Sequence, residues 1–128
     1  MKVLLDTHTL LWAIQDEKKL SSKARDTFLE PENELFVSMA SYWELCIKAG
    51  LGKLELAKNW QKTLDDELLE NGIKWLAIEK AHCDGIMKLP FLHRDPFDRL
   101  LVAQAQVETM TLLTADENIQ KYKVKTIW

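Results

Sequence analysis

Four acidic side chains from distant segments, Asp6, Glu44, Asp98 and Asp116, have the residue type and local setting to act together. Asp6 ends an apolar run in "VLLDTHTLLW", and Asp116 follows another in "TLLTADENI". Glu44 lies in "VSMASYWELCIK" and Asp98 in "LHRDPFDRLL". Two carboxylates ~5 Å apart at an effective dielectric of ~20 repel by about 3 kcal/mol, and each further one adds a comparable amount. Such a cluster needs protons or a bound cation. Oxygen ligands without a His/Cys set at zinc spacing favour Mg²⁺ or Mn²⁺. Magnesium keeps waters and binds few carboxylates directly, which leaves room for a phosphate and an attacking water. The chemistry these residues would support is metal-assisted phosphodiester hydrolysis.

Each acid also has an ordinary structural use. Asp116 can cap a helix, Ser41 to Glu44 spells a capping box, and Asp95-Pro96-Phe97-Asp98 reads as a helix start with Asp95 as N-cap. Capping explains each acid separately but not why all of them would gather at one end of a sheet. Asp6 is the hardest to assign to capping alone. A carboxylate directly after apolar strand residues is partly desolvated, and its pKa rises unless donors or a cation compensate.

The gathering follows from the elements that carry them. Short apolar runs predict strands over Val3–Leu5, Leu35–Val37, Ile73–Ala77, Thr111–Thr114 and Val124–Ile127. Helical periodicity predicts helices over Leu10–Ile14, Ser22–Leu29, Met39–Ala49, the stretch after Asn59 up to Gly72, Glu79–Lys88, Pro96–Glu108 and Glu117–Tyr122. This alternation implies a three-layer α/β/α sandwich with a central, mostly parallel five-stranded sheet. In such a sheet the strand C-termini and the following helix N-termini share one edge, where ligands bind. The four acids fall on that rim.

With 128 residues and no Gly/Ser/Pro linker, the chain is expected to form one domain over residues 1–128. Hydrophobic residues make up 47% and charged residues 29%, a composition that folds rather than stays disordered. The net charge of −3 offers no whole-molecule attraction for nucleic acid, although Lys18, Lys19, Lys23 and Arg25, or Lys121, Lys123 and Lys125, could form a local basic track. No apolar run reaches the ~18 residues of a membrane span, and Asp6 and His8 interrupt the start where a signal peptide stays apolar. The expectation is a cytoplasmic chain without membrane association. Cys46 and Cys83 lack metal-ligand spacing and are expected to be buried, reduced thiols. Trp12, Trp43, Trp60 and Trp75 fall at core-compatible positions.

The motifs resemble those of the PIN-domain nucleases, specifically the VapC-like ribonuclease toxins of bacterial toxin-antitoxin pairs. "LLDTHTLLWA" resembles the opening block with Asp6, "SMASYWELCIKAGLGKL" the second with Glu44, "HRDPFDRLLVAQA" the third with Asp98, and "LLTADENI" the fourth with Thr114 and Asp116. The resemblance implies Asp6 and Asp98 as principal metal ligands, Glu44 and Asp116 as the rest of the acidic cluster, and Thr114 as a residue that positions water or metal. It further implies RNA as substrate, a cognate antitoxin that obstructs the acidic site from an apolar groove, and a homodimer. Lys48, four residues after Glu44, is placed for a helical ion pair; Arg99 reads as a charge partner of the cluster or of the helix faces. The three histidines form no nucleophilic or metal-binding arrangement, with His8 the one near the site.

Three rivals remain for comparison. A haloacid-dehalogenase-like phosphatase also begins with a strand ending in Asp, but needs a second Asp two residues later, where His8 stands. A response-regulator receiver lacks its paired acids before the first helix. A noncatalytic PIN-fold module that binds RNA or an antitoxin retains the fold without the hydrolysis.

Overall fold

Alternation within the strands sets the architecture. In the computed structural model, which describes residues 1–128, β1 (Lys2–Leu5), β2 (Glu34–Ser38), β3 (Lys74–Leu76), β4 (Thr111–Leu113) and β5 (Thr126–Ile127) form one sheet in the order β3-β2-β1-β4-β5. Every pairing is parallel, so the sheet is parallel throughout. Val3, Leu5, Leu35, Val37 and Leu113 point to one face, while Leu4 and Leu112 point to the other. Both faces are covered, which is why these strands read as continuous apolar runs. Val3, Leu4 and Leu5 are wholly buried, each side chain worth roughly 1.5–3 kcal/mol relative to exposure.

The first face is covered by α1 (Thr7–Gln15), α2 (Ser22–Leu29) and α4 (Trp60–Glu70) through Leu10, Ala13, Ala24, Leu64 and Leu68. The second is covered by α6 (Pro96–Glu108), with Leu101, Val102, Ala103 and Ala105, and by Ile119 of α7 (Glu117–Gln120). Between the layers' ends run α3 (Met39–Gly50), which touches α1 and α6, and α5 (Lys80–Ile86), which packs on α6. Gly85 of α5 lets the two helices approach: a Cβ there would sit 3.4 Å from Ala103 Cβ. Residues Arg99 through Ala105 are buried without a break, so α6 is the central helix of its layer. No helix is long and apolar enough to cross a membrane.

Several expectations are corrected. Helix α1 starts at Thr7 rather than Leu10, because Asp6 itself caps it through Thr9 N–H. The Ser41–Glu44 capping box does not form; Ser38 is the N-cap of α3, its hydroxyl accepting from Ala40 N–H, and Ser41 is an interior residue. Cys46 and Cys83 are free but exposed, since both fall on outward helix faces. Trp43 is 56% exposed and Trp75 38%, while Trp12 and Trp60 pack partly against the core. The short α7 ends at Gln120, and the last strand is reduced to Thr126–Ile127.

Candidate functional site

Strand order locates the site. The chain lays β2 and β3 on one side of β1 and β4 and β5 on the other, so the sheet changes direction between β1 and β4. A crevice opens beyond the C-terminal ends of strands at such a switch point. Asp6 follows β1 directly, and Thr114 and Asp116 follow β4. The Asp6 N–H reaches the Leu113 carbonyl at 3.3 Å and the Thr9 hydroxyl donates to the same carbonyl at 2.9 Å, which fixes the first helical turn against β4.

Asp6 is 4% exposed. Its Oδ1 accepts Thr9 N–H at 2.7 Å, and its Oδ2 accepts the Thr114 hydroxyl in a short hydrogen bond. Burial pushes the carboxyl above its usual range, and the hydrogen bonds from Thr114 and Thr9 pull it partly back. Thr114, wholly buried, accepts Asp116 N–H at 3.0 Å on the same oxygen. Asp116 caps α7 by accepting Asn118 N–H at 2.8 Å. Capping and site-building therefore coincide in Asp6 and in Asp116.

Glu44 is 3% exposed in the second turn of α3. The Thr7 hydroxyl donates to its Oε1 at 2.6 Å, Ser41 Oγ lies 2.9 Å from Thr7 Oγ1, and Lys48 Nζ donates to Oε2 at 2.6 Å. The predicted helical ion pair is thus present. The Glu44 hydrogen bond raises the Lys48 pKa against the opposing effect of burial, and Asp95 and Asp98 add to the rise. Thr7 and Ser41 are site residues that the sequence reading missed. Both look like generic helix-start residues, and only their mutual approach reveals them.

Asp98 is held on α6 by Asp95, whose Oδ1 accepts Phe97 N–H at 2.9 Å and Asp98 N–H at 3.0 Å, with Pro96 in the first turn. Its carboxyl is pushed up to about 8, chiefly by burial and then by the charges of Asp95, Asp116, Glu44 and Asp6. The four sequence-predicted acids are therefore in one electrostatic neighbourhood. No three of them bring their ligand atoms within 4.8 Å of one another, however. Glu79, His82 and Glu108 are the one set of three whose ligand atoms all lie within 4.8 Å of one another.

That second set has a different job. His82 is wholly buried; its Nδ1 accepts Glu79 N–H at 3.0 Å, and its Nε2 faces Glu108 Oε1 at 2.9 Å. Both ring nitrogens are committed, so the imidazole ties the start of α5 to the end of α6 and has no lone pair left for an ion.

Two corrections concern side chains around Asp98. His93, read from sequence as distant from the site, places Nε2 3.3 Å from Asp98 Oδ2. Arg99 pairs with no acid; its Nη1 donates to the Pro90 carbonyl at 2.9 Å and to Tyr122 Oη at 3.1 Å, and the guanidinium lies 4.8 Å from the Phe91 ring centroid.

A cavity of about 220 Å³ lined by Asp6, His8, Trp12, Ala115 and Asp116 opens beside the acids. A neighbouring one of about 200 Å³ has Thr7, His8, Lys48 and Lys53 in its wall. Acidic side chains thus line one cavity and lysines the other, with His8 in both. The donor set fits a hard divalent cation that keeps part of its water shell: all-oxygen, anionic, and spaced too widely for four direct bonds to one ion. Asp6 and Asp98 carry the signature of that fit, since each is an acid whose ionised form the protein alone disfavours.

Similarity to known proteins bears on the fold and the family. No curated protein sequence matches the chain significantly. Among solved structures, VapBC2 from Rickettsia felis bound to a DNA fragment from its promoter is similar over 99% of this chain and 98% of that one, at 18% identity and a TM-score of 0.76. VapBC-1 from nontypeable Haemophilus influenzae is similar over 99% and 97%, at 20% identity and 0.67, and FitAcB from Neisseria gonorrhoeae over 98% and 96%, at 16% and 0.57. These likenesses show the fold. Residues 3–125 match the family model of the PIN domain, and the chain belongs to that family.

Proposed function

We propose that this protein is a Mg²⁺- or Mn²⁺-dependent endoribonuclease of the cytoplasm, the toxin of a toxin-antitoxin pair. The observation that carries the reading is the gathering of Asp6, Thr114 and Asp116 at the β1/β4 switch point, near enough to Asp98 and Glu44 for their charges to help raise the Asp98 carboxyl. A fold does not accumulate like charges at a sheet's switch point for stability.

Asp6 and Asp98 would hold the ion, with Glu44 and Asp116 completing its anionic surroundings through water. When bound, the ion supplies charge neutralisation for the phosphodiester and a water of lowered pKa. The chain's own residues prepare the site. Thr114 fixes one oxygen of Asp6 and Thr9 the other, so the carboxylate cannot rotate away. Thr7 and Lys48 hold Glu44 at both oxygens, each of which keeps a free lone pair for a water. Lys48 and Lys53, with His8, offer donors to a backbone phosphate in the adjoining cavity. Trp12, tilted against His8 with ring centroids 5.9 Å apart, presents an aromatic surface in the cavity beside Asp6.

The partner reading rests on apolar surfaces. A groove of about 200 Å³ between α1 and α4, with Leu11, Ile14, Leu56, Trp60 and Leu64 in its wall, suits the apolar face of an antitoxin segment. The similar VapBC proteins are complexes by name, in keeping with an antitoxin partner here. The homodimer reading is supported by Met39, Trp43, Ile47 and Leu51, which recur every fourth residue along the outer side of α3 and remain exposed.

The test is cleavage of a broad RNA panel by the purified chain with Mg²⁺ or Mn²⁺, after chelation, and with Asp98→Asn. Metal-dependent cleavage that the substitution abolishes is expected. Cleavage that survives chelation, or equal activity in the variant, rejects the mechanism. RNA binding without cleavage under any condition assigns the chain instead to the noncatalytic PIN-fold modules, a reading that the presence of all four acids argues against.

A further inference from the structure

Asp98 does not stand alone on its helix. Three side chains that the nuclease reading leaves unused form a line to it: Arg99, Tyr122 and His93. Arg99 and Tyr122 are 7% and 4% exposed, so their polar groups depend on partners within the protein. We propose that His93 is a positioning residue for Asp98, its Nε2–H held on Oδ2 by a hydrogen-bond chain whose direction Arg99 and Tyr122 dictate.

The direction follows from donor counting. A guanidinium can only donate, so the 3.1 Å contact from Arg99 Nη1 makes the Tyr122 oxygen an acceptor there. The buried Tyr122 O–H must then donate elsewhere, and its one remaining partner is His93 Nδ1 at 2.8 Å. A nitrogen that accepts carries no proton, so the neutral imidazole bears its hydrogen on Nε2. That N–H faces Asp98 Oδ2 at 3.3 Å. The opposite tautomer would leave a buried phenol proton unpaired and set a lone pair against a carboxylate, a cost of about 1–3 kcal/mol for the phenol alone.

Arg99 is in turn fixed by the Pro90 carbonyl at 2.9 Å and by its stacking on Phe91. One oxygen of Asp98 is therefore committed to His93 and Oδ1 is left without a protein donor. Ligating carboxylates are commonly oriented in this way by a fixed donor on the other oxygen. His93, three residues before the start of α6, does for Asp98 what Thr114 does for Asp6.

The metal-binding part of this inference rests on the nuclease reading; the tautomer does not. Histidine ¹⁵N spectra of the metal-free full chain at pH 9, with His93 identified by its loss in His93→Gln, are expected to show the Nε2–H form, with His82 as an internal reference for it. A proton on Nδ1 of His93 overturns the proposal without reference to metal. Mn²⁺ affinity, followed by electron paramagnetic resonance on variants whose fold is confirmed by circular dichroism, is expected to fall roughly tenfold in His93→Asn and in Tyr122→Phe. His93→Gln, whose amide nitrogen overlays Nε2, should stay within about threefold of the parent. Equal losses in the Gln and Asn variants defeat the donor role. A parent chain that takes up no Mn²⁺ defeats the nuclease reading, while the tautomer still decides this one.

Discussion

The Thr114 hydroxyl donates to Oδ2 of Asp6 across 108 positions of sequence, joining the ends of the two strands that flank the switch point. The same oxygen accepts the backbone N–H of Asp116. One side chain thereby orients one acid and anchors the loop that carries another.

Replacing Thr114 by Val keeps the shape and removes the hydroxyl. A buried carboxylate oxygen and a backbone donor both lose their partner, so denaturant unfolding should show a loss of about 1–3 kcal/mol. Thr114→Ser should recover most of it. Equal stability of the Val variant and the parent would mean the hydrogen bond contributes nothing.

The Asp98 carboxyl gives a pH dependence of definite sign. Its folded-state value of about 8 lies above the usual 3.8, so between those limits the folded chain holds a proton that the unfolded chain has released. Stability contributed by this group is present at low pH and declines as pH rises through that window. Asp6, also raised, acts in the same direction. A tenfold change in proton affinity is about 1.4 kcal/mol. With 17% of the side chain exposed and the charge interactions weakened by solvent screening, Asp98→Asn should stabilise the metal-free chain by roughly 2–4 kcal/mol at pH 8 and hardly at all at pH 4. Urea midpoints measured across this range check it, and parallel profiles for the two proteins would refute it.

Divalent metal should act against the same window. Binding displaces the proton from Asp98, so the rise in melting temperature on adding Mn²⁺ should grow between pH 6 and 8 and vanish in Asp98→Asn. A Mn²⁺ effect independent of pH, or retained in the variant, would place the ion elsewhere.

Lys48 shields Glu44, whose carboxylate is 3% exposed. Lys48→Met should destabilise by about 1–3 kcal/mol, moderated because the lysine is 38% exposed, and the Glu44→Gln/Lys48→Met pair should be closer to the parent than Lys48→Met alone. Additive losses in the double-mutant cycle would show that the two do not interact.

Outside the site, Thr109 ends α6 at a φ of +55°, a left-handed conformation that suits Gly and penalises a β-branched residue. Thr109→Gly should raise stability by about 0.5–1 kcal/mol, read as a higher melting temperature at unchanged RNA cleavage. A fall would show that the threonine side chain makes a compensating contact.

Much of the molecule is legible in the residues because the patterns are local. Continuous apolar runs bounded by helical periods imply a parallel sheet covered on both sides. Asp95-Pro96 marks the start of α6, an N-cap acid followed by the one residue with no backbone N–H to satisfy. Exposure was less legible. Cys46, Cys83 and Trp43 are outward-facing, since a helix's buried side depends on which neighbours pack on it and not on residue type alone. The capping box at Ser41 failed for a related reason: Ser38 ended the strand earlier, and Ser41 was drawn inward to Thr7.

By itself the sequence determined which acids could matter, because each stands at a strand end or in an early helical turn, and these points converge in any doubly wound parallel sheet. Only the tertiary structure decided how they converge. It set the acids close enough to raise Asp98 but too widely spaced for any three to converge within 4.8 Å, and it enlisted Thr7, Ser41, His93 and Tyr122, whose partners stand far away in sequence or, for His93, across a loop. The physical reason is range: backbone periodicity acts over a few residues, whereas hydrogen bonds and charge interactions depend on separations in space that the packing of whole layers must first create.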